Sequence, residues 1–382
     1  MSEAELPPPH LVSDAPALGA MVERLLGEEL IAVDTEANSM FAYQERLCLV
    51  QVSSAEEDWL IDPLAGLDLA PLGALFASER VQKVFHDAEF DVLTLKRAAR
   101  FRFAAVFDTR VAAASLGHAQ VGLAALLHEC MGVRLDKRFQ RSDWGRRPLS
   151  AGQLDYARRD TRYLPGLARR LRAELDRRGG VHVEEVDSEC RRIAAVEPEP
   201  RSFDPEGWTR IAGAERLDAM GRRLLRALFA WRDREAERRD QPHFKVLGNE
   251  AMLTLAQRAA SGVESPAAVP GVPAWIAPAL AALLDEARAA GPLSGSFRRA
   301  PTPEEELSPA QRRVFDALRA WRREVAARRP VDPALVLPRG ALLALARRDS
   351  WPRDLAELAA CGVLEEWRLR RYGAGILAAL RG

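Results

Sequence analysis

In Ile31-Ala-Val-Asp34-Thr-Glu36 an apolar run leads straight into two acids spaced two apart. The apolar half reads as a buried strand. Residues two apart share one face of a strand, so Asp34 and Glu36 point the same way. Two like charges side by side at the end of a buried strand are costly unless a cation lies between them. Hard divalent cations with oxygen ligands supply that solution. The alternative is a strand ending at Val33 with both carboxylates in water, and Asp-x-Glu alone does not exclude it.

Outward from this strand, Leu47-Cys-Leu-Val-Gln-Val52 and Trp59-Leu-Ile61 are further short apolar runs separated by turn-like stretches. Ala70 to Phe76 reads as a helix, Val81 to Phe85 as a strand, and about Asp87 to Ala99 as a second helix. After the short run Val106-Phe107 the pattern is helical almost to residue 190. A strand meander followed by alternating helix and strand predicts an α/β sandwich with a mixed sheet.

Two other places carry acids in telling positions. In Val84-Phe-His-Asp-Ala-Glu-Phe-Asp91, Asp87 is placed to cap the helix. Asp91 comes one turn later, flanked by Phe90, Val92 and Leu93, which suits partial burial rather than capping. His86 could touch the site but reads first as a hydrogen-bonded core histidine. In Ser150-Ala-Gly-Gln153-Leu-Asp-Tyr156-Ala-Arg-Arg-Asp160, Ser150 and Gln153 form a capping box behind Pro148, so a helix starts there. Tyr156 and Asp160 are i and i+4, stacked on one helix face. Leu154, Ala157, Leu164, Leu171 and Leu175 make the neighbouring stripe that docks this helix on the sheet. A tyrosine bonded to a helical neighbour would look the same.

The rear of the chain is duplicated. Trp231-Arg-Asp-Arg-Glu-Ala236 aligns with Trp321-Arg-Arg-Glu-Val-Ala326 at an offset of 90, extending from Leu217/Leu307 to Ala256/Ala346 and slipping beyond about residue 260. Each copy reads as a small all-α unit. Stretches rich in Pro, Gly, Ser and charge at 197–207 and 291–306 read as linkers. The expected segments are therefore 1–196, 207–290 and 307–382. Trp231 and Trp321, at helical spacing among Leu and Ala, read as core residues.

Composition closes off several classes. The 382 residues carry 55 basic and 55 acidic side chains, a net charge of zero that divides as −7 over residues 1–200 and +7 over 201–382. An acidic front beside a basic rear suits a cation-holding part joined to a polyanion-holding part, though solvated helix faces give the same totals. The longest run without charge near membrane-spanning length, 266–284, is interrupted by Pro266, Pro270, Pro273 and Pro278, so no membrane span is expected. The start, Met1-Ser-Glu-Ala-Glu5, lacks the features of a secretory signal. Cys48, Cys130, Cys190 and Cys361 show neither disulfide nor zinc spacing. A cytoplasmic protein is expected. No GxxxxGK[ST] loop occurs, so no nucleotide cofactor is expected.

Asp-x-Glu on a first strand, Asp91 in the helix after a later strand, and Tyr-x-x-x-Asp on a following helix resemble, in this order, the three exonuclease motifs of the DEDD superfamily in its tyrosine branch. Glu45-Arg-Leu-Cys-Leu-Val-Gln-Val52, Phe107-Asp-Thr-Arg110, Gly122-Leu-Ala124, Leu135-Asp-Lys137 and Ser142-Asp-Trp-Gly-Arg-Arg-Pro-Leu149 are similar to bacterial ribonuclease D. The duplicated rear units resemble HRDC domains. The resemblance implies an RNase H-like mixed sheet with flanking helices, followed by two small all-α HRDC-type domains. It further implies a 3′–5′ exoribonuclease that trims tRNA precursors and other small structured RNAs, releasing nucleoside 5′-monophosphates by two-metal-ion hydrolysis.

On this resemblance Asp34, Glu36, Asp91 and Asp160 would hold two divalent cations, Mg²⁺ with Mn²⁺ as substitute, and Tyr156 would orient the attacking water. Asp34 is expected to bridge the ions, Glu36 and Asp160 to bind one, and Asp91 to support the other. Lys137, Arg141, Trp144 and Arg147, just upstream of the Tyr156 helix, are expected to hold phosphates and stack a base. Two rivals stay open: a DNA-directed 3′–5′ exonuclease, and a non-catalytic RNA-binding adaptor. Loss of one acidic ligand would signal the adaptor, and all four are present.

Overall fold

The computed structural model describes residues 7–200, 202–262, 265–295, 297, 303–329 and 331–381. The start Met1 to Glu5 and residues 296 and 298–302 of the second linker lie outside them. The described residues form two compact units. One draws on 1–37, 47–198 and 302–382; the other on 38–46 and 199–301.

The first unit is built on a six-stranded mixed sheet. Its strands are β1 (His10–Val12), β2 (Leu30–Ala37), β3 (Leu47–Ser53), β4 (Asp58–Ile61), β5 (Gln82–Phe85) and β6 (Val106–Asp108), in the order β1-β4-β3-β2-β5-β6. The β2–β3–β4 meander is antiparallel; β1 on β4, and β5 on β2 and β6, run parallel. One face carries α1 (Ala15–Leu25), α2 (Leu72–Ala77) and α3 (Glu89–Ala99), which bury Leu18, Leu25, Leu75, Phe76, Val92 and Leu95 against Ile31, Val33, Val50 and Val52. The other carries α4 (Thr109–Leu116), α5 (Leu123–Met131), α6 (Ala151–Arg162), α7 (Leu164–Arg178) and α8 (Val181–Ala195). Leu126, Leu127, Leu167 and Leu171 there cover Ala32, Val84 and Phe107. At about 25 cal/mol per Å² of apolar area removed from water, these two layers supply most of the driving force that holds the sheet.

Two elements lie ahead of the first expected strand: β1, and α1, which Asp14 caps by accepting from the Ala17 N–H and which has Pro16 in its first turn. Two expectations are corrected. The stretch from 107 to 190 is not helical throughout. α5 stops at Gly132, whose φ of 71° is one that side chains resist, and residues 133–150 form no helix. The stripe from Leu154 to Leu175 belongs to two helices, because α6 ends at Tyr163, with Pro165 in the first turn of α7. Leu154 and Ala157 join the cluster over β3 and β4, whereas Leu164, Leu171 and Leu175 join the one under β5 and β6.

In the second unit lie α9 (Ala219–Arg239), α10 (His243–Val246), α11 (Asn249–Ala260) and α12 (Ala277–Ala289), around a core that includes Leu224, Leu228, Met252, Leu255 and Leu280. In the first unit lie α13 (Pro309–Arg328), α14 (Pro333–Val336), α15 (Arg339–Ala346), α16 (Leu355–Ala360) and α17 (Glu366–Arg381). The offset of 90 is visible in the starts of α9/α13, α10/α14 and α11/α15 and is lost afterwards. Arg232 and Arg322, 90 apart, each donate from Nη1 to a main-chain oxygen, on Leu247 and Leu337 respectively, which are also 90 apart.

The α13–α17 bundle docks on α8. Glu185, 0% exposed, takes both guanidinium nitrogens of Arg329 at 2.9 and 2.7 Å and the Ser115 hydroxyl at 2.5 Å. Arg370 reaches Glu184 at 2.6 Å, and Ser188 donates to Glu365 at 3.2 Å.

Candidate active site

The alternation of β2 decides which way its acids face. Ile31 and Val33 enter the α1–α3 layer and Ala32 the opposite one, so Asp34 and Glu36 follow Ala32 toward α6 and α7. α6 is started by the expected capping box. The Ser150 hydroxyl accepts from the Gln153 N–H at 3.3 Å, and Gln153 Oε1 accepts from the Ser150 N–H at 3.0 Å. One turn on, Tyr156 and Asp160 arrive beside the strand. Asp34, Glu36 and Asp160 each place a carboxylate oxygen within 4.8 Å of the others. With Tyr156 they line a cleft of about 510 Å³.

Asp91 stands on the other side of the strand. It projects from α3, is buried, and accepts a hydrogen bond from Thr35 Oγ1 at 2.5 Å. Its carboxylate is not among the three that converge, though its charge acts on Glu36. Asp87 does not cap α3 as expected. It adopts φ 69° and pairs with Arg110 at 3.2 Å. The capping falls to Asp108, which accepts from the N–H groups of Asp87 and Ala88 ahead of α3 and of Arg110 and Val111 in α4. His86 is hydrogen-bonded to Thr109 at 2.9 Å, and burial lowers its ring to about 4, so it is neutral near pH 7.

Burial raises Asp34 to about 6. Burial and then repulsion from Asp34 raise Asp160 to about 8. Glu36 is driven to about 10 by burial and by its acidic neighbours Asp34, Asp160 and Asp91. Tyr156 is held far above its ordinary value by burial, Asp160 and Glu36, so its hydroxyl keeps its proton and donates to Asp160. Three oxygen donors that cannot all ionise on their own are the donor set a hard divalent cation satisfies. The residues present fit such an ion.

The four expected RNA-contacting residues separate. Lys137 lines the cleft, and Arg141 is exposed. Trp144 is a correction. It is 1% exposed, packed with Cys48, Leu49, Leu60 and Ala157 behind Tyr156, its ring centre 6.0 Å from the phenol, and offers no face to a base. Arg147 is a second correction. Its guanidinium grips Asp62 at 2.6 Å and the carbonyl oxygens of Cys48 and Trp144, so it fastens residues 144–148 to β3 instead of holding phosphate.

Some neighbours of the site went unread in the sequence. Arg110, Gln120 and Gln140 line the cleft. Gln51 pairs in register with Asp34 across β2 and β3, is 0% exposed, and has no partner for either amide atom. Its only signal was a polar residue inside the apolar run 47–52.

A mixed sheet that gathers acids from two strand positions and a covering helix is the framework of a 3′–5′ exonuclease, a class that works with divalent metal ions. A 3′–5′ exonuclease family model matches residues 9–176, and an HRDC domain model matches 221–282 and 311–380. Ribonuclease D of Gluconacetobacter diazotrophicus is 38% identical over 279 residues, spanning 71% of this chain and 68% of the relative. The chain belongs to the ribonuclease D family and is a 3′–5′ exoribonuclease. Among solved structures, the catalytic core of RRP6 from Trypanosoma brucei matches with a TM-score of 0.66 and 27% identity, covering 76% of this chain and 82% of that one. Escherichia coli RNase D, described as an exoribonuclease involved in structured RNA processing, shares the fold, with a TM-score of 0.65 over 98% of both chains at 24% identity. No helix among the described residues is long and apolar enough to cross a membrane.

Proposed function

We propose that this exoribonuclease trims the 3′ ends of tRNA precursors and other small structured RNAs, releasing nucleoside 5′-monophosphates, at the cluster of Asp34, Glu36 and Asp160. The convergence of their three oxygens within 4.8 Å, beside a protonated Tyr156, carries this reading. Asp34, Glu36 and Asp160 would hold divalent metal, Mg²⁺ with Mn²⁺ as substitute, and Asp91 would support them from across β2. When bound, such ions acidify water and neutralise the charge that builds on the phosphate and leaving oxygen.

The chain's own groups do the rest. Tyr156 cannot serve as a base near neutral pH, because burial and the adjacent acids keep its proton on. Its hydroxyl therefore works as a hydrogen-bonding group that sets the direction of the attacking water. Lys137, in the cleft, supplies a positive charge for an RNA phosphate. Buried Trp144 and half-buried Phe139 behind the phenol limit its freedom.

The test is purified protein with a 3′-extended tRNA, with and without Mg²⁺, resolved at single-nucleotide steps. The expected result is a Mg²⁺-dependent ladder that shortens from the 3′ end. Equal rates on a matched DNA oligomer, or activity untouched by EDTA, would contradict it.

A further inference from the structure

The second unit contains a cavity of about 750 Å³, larger than the catalytic cleft and made without any of its acids. Residues 38–46, which follow the Asp34/Glu36 strand in the sequence, form part of its wall. Tyr43 donates to Asp233 at 2.9 Å, His243 meets the same carboxylate at 2.8 Å, and Arg46 pairs with Asp240 at 2.7 Å. Two features distinguish this cavity from an accidental gap between helices.

The first is its aromatic lining. Phe203 lies on Phe229 with ring centres 5.5 Å apart and planes 27° apart, and both border the cavity. Phe203 is 39% exposed, so the two-ring stack ends at an accessible ring. Phe244, on the same cavity, is 54% exposed. Large exposed aromatics beside a concave surface suit stacking against a flat ring.

The second is the internal duplication, which acts as a control. The framework residues Trp231, Arg232 and Leu247 recur 90 positions later as Trp321, Arg322 and Leu337. Apart from Arg232, which recurs as Arg322, the cavity-lining residues of α9 to α11 differ in the second copy. Phe229, Asp233, His243, Phe244 and Asn249 become Arg319, Arg323, Pro333, Ala334 and Arg339. Phe229 packs on the core and Asp233 holds Tyr43 and His243, whereas Phe244 is exposed in the first copy and is replaced by alanine in the second.

The charge of the lining selects the ligand. Glu45, Asp204 and Asp233 oppose Arg210 and Arg232, and Arg210 is already paired with Asp204 at 2.6 Å. Such a lining disfavours a phosphate. It suits an uncharged heteroaromatic ring that stacks on phenylalanine and meets hydroxyl and amide groups at its edge, such as those of Ser202 and Asn249.

We infer that this cavity is a nucleobase subsite, which takes one unstacked base from the single-stranded part of an RNA substrate. The inference rests on RNA being the substrate, and it adds a contact with a base to an enzyme whose chemistry is on the backbone. Stacking on an aromatic ring tolerates every base, so the subsite would favour single-stranded 3′ tails over paired ends without reading their sequence.

The test uses the full-length protein in EDTA with a single-stranded oligoribonucleotide carrying 5-iodouridine at one position in turn, irradiated and mapped by mass spectrometry. Cross-links at Tyr43, Phe203 or Phe244 are expected. Phe244→Ala combined with Phe203→Ala should weaken oligomer binding by roughly 5- to 150-fold, the loss of one stacked base. Phe244→Trp alone should retain wild-type affinity, which separates stacking from a structural role. Binding of both variants within twofold of wild type, with cross-links only elsewhere, overturns the inference. If RNA cross-links in the cavity but is never shortened when Mg²⁺ is supplied, the subsite stands and the trimming reading falls. If RNA is trimmed while the cavity stays unlabelled, the reverse holds.

Discussion

At the scale of single residues, the site is a proton-and-metal balance. Carboxylic acids that titrate near 6, 8 and 10 when folded, but near 4 when unfolded, hold extra protons in the folded state across that interval. Stability in EDTA should therefore be greatest below about pH 4 to 5, as far as these groups set it, and should fall as pH rises toward 8. A divalent cation replaces those protons. The rise in Tm on adding Mg²⁺ should be larger at about pH 8 than at about pH 5.5 in scanning calorimetry; an equal rise would show that these carboxylates are not the ligands. Tyr156→Phe should lower kcat about 10²-fold, as expected when a reacting water is misplaced, while leaving the Mg²⁺-induced rise in Tm intact. Loss of that rise would make Tyr156 a structural support of the cluster. Strand and helix periodicities put Asp34 beside Glu36 and Tyr156 beside Asp160, but it was their order along the chain, resembling the DEDD motifs, that made them legible as one site. Trp144 and Arg147 were misread for a physical reason: an aromatic among arginines suggests a nucleic-acid surface, but burial is decided by residues distant in sequence. Asp62 is 85 positions from its partner Arg147.

At the scale of elements, α8 is the seat of the second helical bundle. Glu185 is fully buried and depends on Arg329 and Ser115 for compensation. Arg329→Ala should cost about 3–5 kcal/mol, since it strands a buried carboxylate, and chemical denaturation would measure it. Replacing both partners, Glu185→Leu with Arg329→Met, should recover most of that loss. A single variant as stable as wild type would mean that water reaches Glu185. The elements themselves were largely readable. Five of the six strands follow short apolar runs, and the start of α6 follows its cap at Ser150. Missed were β1, too short to show alternation, α1, the break between α6 and α7, and residues 133–150, where composition resembles the helices on either side.

At the scale of the whole molecule, the duplication was plain in sequence, but the grouping of its copies was not. The α13–α17 bundle shares a unit with the nuclease sheet, because Ala114, Val111, Val121 and Val181 complete its core. Removing 207–382 would consequently do more than shed an RNA-holding appendage: it would leave Glu185 without Arg329 and expose an apolar face of α4 and α8. Such a truncation should melt well below the intact chain, and lost tRNA binding in it would report damage as much as a missing contact. An equal Tm for both would show that the bundle is only tethered.

Catalysis by this fold depends most on the acids acting together on metal. Mn²⁺ binding followed by electron paramagnetic resonance, on wild type and on Asp34→Ala, with hydrolysis of a 3′-extended tRNA measured on the same samples, tests this directly. Wild type should take up Mn²⁺ tightly and shorten the RNA, and Asp34→Ala should lose both. Tight Mn²⁺ binding and near wild-type trimming in Asp34→Ala would contradict the assignment.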